Sequence, residues 1–505
     1  MVVDAAAAII ASLTVMAAAG PSTALEHPRP ELSASIVQAA APHALGPLAS
    51  LPEAATTHAS APASAPASSS AGPAASSATP AVAAIPDLTR LTSTRGTQLL
   101  RGLGALPAAE TARVLAANPQ LVERTLARPP APRQVDRWWS NLDAATQLSL
   151  VSAAPRLVGN LDGVPYVMRD MANRSHLRSV VNALELADPM SLGASERLQQ
   201  REQLQMLYSV LDALGPATAN PPRQLISLDV EGQGKAAIVV GDLATADYVS
   251  YIVPGMFISV QQSMVEWVDT AARLHDEQVT WLTLLDSATR APAVTTGAPV
   301  PTGTDDATGT DASTPTVATV AWIGYQTPHL LNVGSLDLAY EGRDAIASAV
   351  LGLQTLRGDN APYLSLLAHS YGSTAAMLAL TETSATVDAL AMIGSPGAPG
   401  ASVATLNVRG DVFVGEAAWD PIPNSSFFGL DPGSSDFGAR AMNVAGGIDV
   451  ITNRVLEGST GHNSYFSPGT ESMRNLALIA IDRGELVTDG TSTDALRTLD
   501  YALTY

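Results

Sequence analysis

Ser370 stands in a segment whose layout is typical of an activated nucleophile. The short apolar run 363–367 leads into Ala-His-Ser-Tyr-Gly at 368–372, and a helix-forming stretch follows at 374–381. Small residues around a serine allow the sharp strand-to-helix turn that lifts its hydroxyl out of the backbone, and here an alanine replaces the usual first glycine. We therefore predict that Ser370 attacks a carbonyl carbon, as in hydrolases and acyl transferases.

The strand–turn–helix context distinguishes Ser370 from chance matches to the same short motif. Chains rich in alanine, serine and glycine contain such matches by chance. Residues 68–72 have the same form around Ser70, but they lie in low-complexity sequence, with no strand-like run before them and no apolar helix after them. An ordinary turn with an incidental serine is the alternative interpretation of Ser370.

His462 is the candidate general base. The chain contains eight histidines, of which only His462 follows Ser370, and folds with this turn place nucleophile, acid and histidine in that order along the chain. His462 lies in the glycine-flanked loop 458–466, which can place an imidazole over the edge of a sheet. The side chain of His369 should point away from the neighbouring serine hydroxyl. A solvated loop histidine is the alternative interpretation of His462.

An acid that orients the imidazole is expected after a strand between these two candidates. The run 411–415 is strand-like, and Glu-Ala-Ala-Trp-Asp-Pro follows at 416–421. We predict that Asp420 accepts the imidazole N–H and stabilises the imidazolium. Glu416 is the second choice for this acid, and Asp449 is the third.

Two backbone N–H groups are candidates for an oxyanion hole. One belongs to Tyr371, the residue after the nucleophile, and the other is expected in the loop after the third strand. The β-branched and aromatic run 248–253 is followed by Pro-Gly-Met at 254–256, where glycine permits a close approach of the backbone to a substrate oxygen. Met256 is therefore the predicted second donor.

Strand-like runs alternate with helical patterns through the second half of the chain. Strands are expected at 224–230, 236–240, 248–253, 317–323, 363–367, 389–393 and 412–414. The first two should form a hairpin, and the helical runs between later strands, such as 336–356, indicate parallel crossovers. The sequence thus predicts an α/β protein with a doubly wound, mostly parallel sheet.

The chain also resembles a known family, the actinobacterial α/β hydrolases of unassigned substrate. The residues that carry the resemblance are Gly241-Asp242, 246–249, 254–256, Trp322-Ile-Gly-Tyr325, His369-Ser-Tyr-Gly-Ser373, Asp420-Pro421 and Gly461-His462, with Trp138-Trp139, Gly159-Asn-Leu-Asp-Gly-Val-Pro165, Arg169 and Ala172-Asn-Arg174 upstream. Ala368 departs from the usual glycine. The resemblance covers roughly residues 135–485 and implies an α/β-hydrolase fold with an N-terminal helical segment, but no particular substrate.

Composition divides the chain of 505 residues into three parts. Residues 1–85 hold an apolar, signal-like stretch and a linker rich in alanine, serine and proline, which cannot bury a core. Residues 86–222 carry helical apolar stripes and are predicted to form a cap or brace near the cleft. Residues 223–505 are the predicted catalytic domain, and 287–316 are a low-complexity insertion within it.

The net charge of −20 argues against some classes of partner. An acidic chain repels phosphate backbones, so nucleic-acid binding is not expected. The sequence has no cysteine, no glycine-rich phosphate loop and no metal-ligand spacing, and we expect no cofactor and no metal. The uncharged apolar stretch 5–19 lacks a basic flank, yet it favours a secreted or cell-surface anchored protein, with membrane association through the N-terminus, over a cytoplasmic one.

The candidate residues together predict a serine hydrolase that cleaves an ester or similar acyl bond of a small molecule or lipid through a Ser-Asp-His triad. Water and alcohols can both accept the acyl group, so acyl transfer to a sugar or lipid alcohol is the alternative among enzymes. From another class, a catalytically inert surface protein could bind a partner through the helical segment. The presence of serine, acid and histidine in the expected order favours the enzyme.

Overall fold

The computed structural model describes residues 88–290 and 315–490 of the chain. The signal-like stretch and the linker within 1–85 lie outside the described residues. Most of the insertion predicted at 287–316 also lies outside them, although residues 287–290 complete a helix. Within the described ranges, no helix combines the length and the apolar character that a membrane span requires.

Nine α-helices precede the first strand in the part of the chain that the structure describes. They are α1 (Leu88–Ser93), α2 (Gly96–Gly104), α3 (Ala108–Ala117), α4 (Gln120–Ala127), α5 (Pro132–Ser140), α6 (Ala144–Ala153), α7 (Pro155–Gly159), α8 (Tyr166–Leu186) and α9 (Ala194–Leu214). The earlier helices share a core of their own, in which Leu100, Trp139 and Leu161 are buried. Leu177 of α8 and Leu207 of α9 belong instead to a core beside the sheet.

Eight of the described strands form one sheet, in the order β1-β2-β4-β3-β5-β6-β7-β8. They are β1 (Arg223–Asp229), β2 (Lys235–Val240), β3 (Tyr248–Val253), β4 (Val317–Ile323), β5 (Tyr363–His369), β6 (Ala389–Ile393), β7 (Val412–Gly415) and β8 (Arg440–Ala441). β2 is antiparallel to both β1 and β4, and the other pairs are parallel. β9 (Gly447–Ile448) pairs separately with β10 (Val455–Leu456). The predicted mostly parallel sheet is confirmed.

Helices cover both faces of the sheet. On one face lie α10 (Val260–Arg290) and α13 (Glu471–Ala480), and on the other lie α11 (Asp337–Arg357) and α12 (Tyr371–Glu382). Every residue of β4 and β6 is buried as a result, which explains why their sequence is apolar apart from Thr319. The carboxyl ends of the parallel strands meet at one edge of the sheet, so the loops that follow β3, β5, β6 and β7 lie close together.

Side chains of the helical segment cap the free edge of β1. An uncapped strand edge carries unpaired N–H and C=O groups that can pair with other chains. Asn160 donates to the Leu228 carbonyl (2.9 Å) and accepts from the Leu228 N–H (2.8 Å). Asp170 accepts from the Leu225 N–H (2.6 Å), and Asn173 donates to the Leu225 carbonyl (3.0 Å). These side chains take the place of a neighbouring strand.

The upstream motif that begins at Gly159 therefore has a structural role at this edge. A Cβ on Gly159 would come within 1.9 Å of Asn173 Oδ1, so the backbone can approach that amide only without a side chain. Buried Arg169 binds Asp162 at 2.6 Å, and Asp162 also accepts from the Ser348 hydroxyl of α11. The motif thus attaches the helical segment both to the sheet edge and to a helix that covers the sheet.

Asn173→Ala is expected to lower the free energy of unfolding by about 2–3 kcal/mol, because the Leu225 carbonyl loses its buried side-chain donor and the Gly159 carbonyl keeps only the bond from Arg169. Arg178→Ala changes an exposed residue of the same helix and should alter the free energy of unfolding by less than about 0.5 kcal/mol. Urea unfolding followed by circular dichroism measures both variants. Equal effects of the two substitutions would contradict the edge-capping role of Asn173.

Candidate active site

Ser370 lies at the turn between β5 and α12, where the sequence pattern predicts a nucleophile. Its backbone is in the left-handed region (φ 54°), which is uncommon for a residue with a Cβ and fits a strained turn of this kind. A Cβ on Gly372 would meet the Pro254 carbonyl oxygen at 2.3 Å, and one on Gly255 would lie 2.6 Å from Ser370 Cβ. The turn and the loop after β3 therefore pack directly on each other.

The structure brings Ser370, His462 and Asp420 together in one series of hydrogen bonds. His462 Nε2 lies 2.7 Å from Ser370 Oγ, and His462 Nδ1 lies 3.0 Å from both carboxylate oxygens of Asp420. With Nδ1 protonated and bonded to the acid, Nε2 can accept the serine proton. Ser370 and His462 are each 4% exposed, so bulk water scarcely reaches this contact. The three residues meet as the sequence predicts, and their catalytic roles stay a prediction.

Asp420 is held as a carboxylate by its surroundings. Burial alone would raise its pKa, but hydrogen bonds and the charge of His462, together with the Tyr465 hydroxyl, hold the pKa of Asp420 below its usual value. The Tyr465 O–H donates to Oδ2 (2.6 Å), and the Ile422 N–H donates to Oδ1 (3.0 Å). An ionised Asp420 can fix the tautomer of His462 and stabilise its imidazolium form.

Glu416 and Asp449, the two alternative acids, do not share the surroundings of Asp420. Burial, followed by the charge of Asp431, raises the pKa of Glu416 to about 7. Asp449 is buried in an ion pair with Arg474 at 3.3 Å. Among the residues that the structure describes, neither Glu416 nor Asp449 is hydrogen-bonded to His462, and Glu416 Oε1 has no partner at all. The geometry thus favours the first of the three acids predicted from the sequence.

The predicted oxyanion donors lie on the two segments that meet at the serine. Tyr371 is the first residue of α12, and Met256 belongs to the loop after β3. Among the described residues, neither N–H donates to a carbonyl group or a side chain, and their role as oxyanion donors stays a prediction. The Tyr325 O–H donates to the Pro254 carbonyl (2.7 Å), and the Tyr371 O–H donates to the Ser335 carbonyl (2.6 Å). These bonds fix the backbone around both donors.

His369 and Tyr465 have roles in the site that sequence reasoning missed. His369 Nε2 donates to the His462 carbonyl (2.7 Å), and the two imidazole rings lie 4.7 Å apart. Tyr465 donates to Asp420 and accepts from the Ala417 N–H (2.8 Å) in the loop after β7. His369 therefore holds the backbone of the base, and Tyr465 holds the acid. Their only signal in the sequence is their position close to predicted catalytic residues.

A separate cavity of about 450 Å³ lies between the helical segment, the sheet and α11. Its charged groups are paired with each other, Lys235 with Glu341 at 3.1 Å and Arg169 with Asp162 at 2.6 Å. The lining contains no member of the Ser-His-Asp series. Because its ionic groups are satisfied within the protein, this cavity offers no unpaired charge to a substrate, and the candidate active site is the one at Ser370.

The stability of the protein should depend on pH through His369. Burial, followed by the charge of His462, lowers the pKa of His369 from its ordinary value of 6.5 to about 3. Between these values the unfolded chain binds a proton that the folded chain does not bind. The free energy of unfolding should therefore fall as the pH falls below about 6.5. His369→Gln keeps a donor for the His462 carbonyl and removes this titration.

Urea unfolding at pH 7 and at pH 5 measures this effect. Between pH 7 and pH 5, the free energy of unfolding of the wild type should fall by about 1 kcal/mol more than that of His369→Gln. This is less than the full linkage of ~1.4 kcal/mol per pH unit, because the ring of His369 is only partly buried. His329→Gln, at an exposed position, is the control and should follow the wild type. Identical pH dependence of the wild type and His369→Gln would contradict the lowered pKa of His369.

Comparison with known proteins finds a match to one family model and two curated relatives. Residues 229–304 and 298–429 match the model of a family described as alpha/beta hydrolase. Two uncharacterized proteins of Mycobacterium tuberculosis, from two strains, are 27% identical to the chain over 411 residues. The alignment covers 71% of this chain and 57% of each relative, so the chain spans less than two thirds of the length of these relatives.

Solved structures of hydrolases are also similar, at low scores. A serine hydrolase without lid from Xanthomonas campestris is 15% identical, with a TM-score of 0.27, over 50% of this chain and 89% of that chain. A hyperthermophilic esterase from Pyrobaculum calidifontis is 14% identical, with a TM-score of 0.28, over 61% of this chain and 97% of that chain. These scores are too low to support a conclusion. Together with the mostly parallel sheet and the turn at Ser370, the family match shows that the chain has an α/β-hydrolase fold.

Proposed function

We propose that the chain is a serine hydrolase that cleaves an ester or a similar acyl bond. The observation that supports this proposal most directly is the series of hydrogen bonds from Ser370 through His462 to Asp420, with 2.7 Å and 3.0 Å between the bonded atoms. A serine hydroxyl is a weak nucleophile by itself and becomes reactive when an adjacent base takes its proton. The three residues supply a nucleophile, a base and an orienting acid.

In the proposed acylation step, His462 Nε2 takes the proton of Ser370 as Oγ attacks the carbonyl carbon. The carbonyl oxygen gains negative charge, which the N–H groups of Tyr371 and Met256 stabilise. His462 then gives its proton to the leaving alcohol oxygen, and an acyl group remains bonded to Ser370. Asp420 stabilises the imidazolium during both proton transfers.

In the proposed deacylation step, water attacks the acyl carbon of the intermediate while His462 acts again as the base. The ester bond to Ser370 breaks, the serine recovers its proton from His462, and a carboxylic acid is released. The same residues would serve an alcohol acceptor, because it too gives up one proton to the imidazole. We propose a small-molecule or lipid ester as the substrate of this reaction.

A fluorophosphonate should label Ser370, because only an activated serine attacks phosphorus readily. Ser370→Ala should remove the label, and His462→Ala should slow labelling at least about a hundredfold. Ser152→Ala removes an exposed serine of α6 and should label like the wild type. Peptide mapping identifies the modified residue. An adduct on Ser395 or Ser464, or labelling that survives Ser370→Ala, would rule out Ser370 as the nucleophile.

Hydrolysis of p-nitrophenyl acetate tests the base and the acid. Ser370→Ala and His462→Ala should each abolish turnover, and the double variant should be no worse, because members of one catalytic unit are non-additive. Asp420→Asn should lower kcat at least about a hundredfold, since the imidazole then loses the negative charge that fixes its tautomer and stabilises its protonated form. Glu416→Gln is the matched control and should have a mild effect. If Glu416→Gln is the more damaging variant, the acid is misassigned.

A further inference from the structure

Two large aromatic side chains stand exposed on strained backbone beside the candidate active site. Phe257 has φ 63° and is 47% exposed, and Trp419 has φ 64° and is 90% exposed. The left-handed region is unfavourable for any residue with a Cβ and most unusual for bulky ones. Burial offsets little of this strain, because Phe257 is about half exposed and Trp419 is almost fully exposed. Strain that the surrounding structure maintains is concentrated at functional sites.

Phe257 lies on the oxyanion side of the site. It follows Met256 in the chain, and its N–H donates to the Pro328 carbonyl at 3.0 Å in the loop after β4. The same loop carries Leu331, which is 93% exposed. An exposed aromatic residue thus directly follows the proposed second oxyanion donor, and the loop bonded to its backbone carries a second exposed apolar residue.

Trp419 lies on the side of the acid and the base. It directly precedes Asp420 in the loop after β7. The carbonyl of its other neighbour, Ala418, accepts from the Gly461 N–H at 2.9 Å, and Gly461 directly precedes His462. The backbone that holds the base is thus bonded to the backbone that presents Trp419.

We infer that Phe257 and Trp419 are specificity-determining residues that contact apolar groups of the substrate on the two sides of the scissile bond. The substrate is then an ester with a hydrocarbon acyl chain and an apolar alcohol. This inference rests on the proposed function. In this assignment the acyl chain extends on the side of Phe257, the residue that follows the Met256 donor in the chain. The leaving oxygen takes its proton from His462, so the alcohol extends on the side of Trp419. Contact with hydrocarbon removes aromatic surface from water, which is favourable.

The acyl side is tested with p-nitrophenyl acetate and p-nitrophenyl octanoate, both below their micellar concentrations. The wild type should have a higher kcat/KM for the octanoate. Phe257→Gly should lower the octanoate-to-acetate ratio of kcat/KM about tenfold, a typical loss for an apolar contact with substrate. Trp419→Gly should leave this ratio within about twofold of the wild type, because the leaving group is the same in both esters.

The alcohol side is tested with ethyl acetate and octyl acetate, followed by acid release at constant pH. Here Trp419→Gly should lower the octyl-to-ethyl ratio of kcat/KM about tenfold, and Phe257→Gly should leave it nearly unchanged. Leu186→Ser, at an 85% exposed apolar residue of α8, is the control and should change neither ratio. Phe257→Asn and Trp419→Asn provide a second pair of variants, because asparagine tolerates left-handed backbone.

Thermal unfolding separates this role from a structural one. Glycine accepts the left-handed backbone without a Cβ clash, so the melting temperatures of Phe257→Gly and Trp419→Gly should be unchanged or raised. Unchanged ratios of kcat/KM in both variants, or equal losses of kcat/KM on all substrates with lowered melting temperatures, would overturn the inference.

If Ser370 is labelled and the acetates are cleaved without preference for longer chains, the inference fails while the proposed function stands. If no ester is cleaved and Ser370 is not labelled, the proposed function itself fails.

Discussion

The close packing of the serine turn on the loop after β3 is the contact on which the candidate site depends. Parallel pairing of β3 with β5 sets Val253 opposite Ala368, so the two segments leave the sheet side by side. At that point a Cβ on Gly255 or on Gly372 would overlap the other segment. Glycine at both positions lets a nucleophile and a backbone N–H donor share one small volume. With larger residues there, the same functional groups would be present but separated.

The imidazole reaches this volume from a loop near the end of the described chain, and neighbours of the triad candidates hold it there. Asp420 orients the ring of His462, His369 binds its backbone carbonyl, and Tyr465 binds the acid. Each restraint comes from a residue that also packs in the buried layer around the strand ends. An imidazole fixed in this way would need little reorganisation in the proposed reaction, which is the condition for effective electrostatic stabilisation.

The sequence predicted the strands and the serine turn because their determinants are local. Apolar runs indicate strands buried on both faces, and small residues permit the sharp turn. Chain order was sufficient to select His462. The strand order and the short strands β8, β9 and β10 could not be predicted, since two residues carry no periodic pattern. The bonds of His369 to His462 and of Tyr465 to Asp420 join positions 93 and 45 residues apart, which no local pattern encodes.

The amide and carboxylate side chains along the free edge of β1 determine how this fold can be divided. Residues 223–490 include every described strand and every candidate catalytic group, which makes them the obvious choice for a shortened protein. Without the helical segment, however, the N–H and carbonyl groups of Leu225 and Leu228 would be unpaired, and two leucines that are now fully buried would lose part of their cover. Such an edge recruits strands from other chains. A catalytic fragment that begins at β1 would therefore be prone to aggregation, and the helices upstream protect the sheet from self-association.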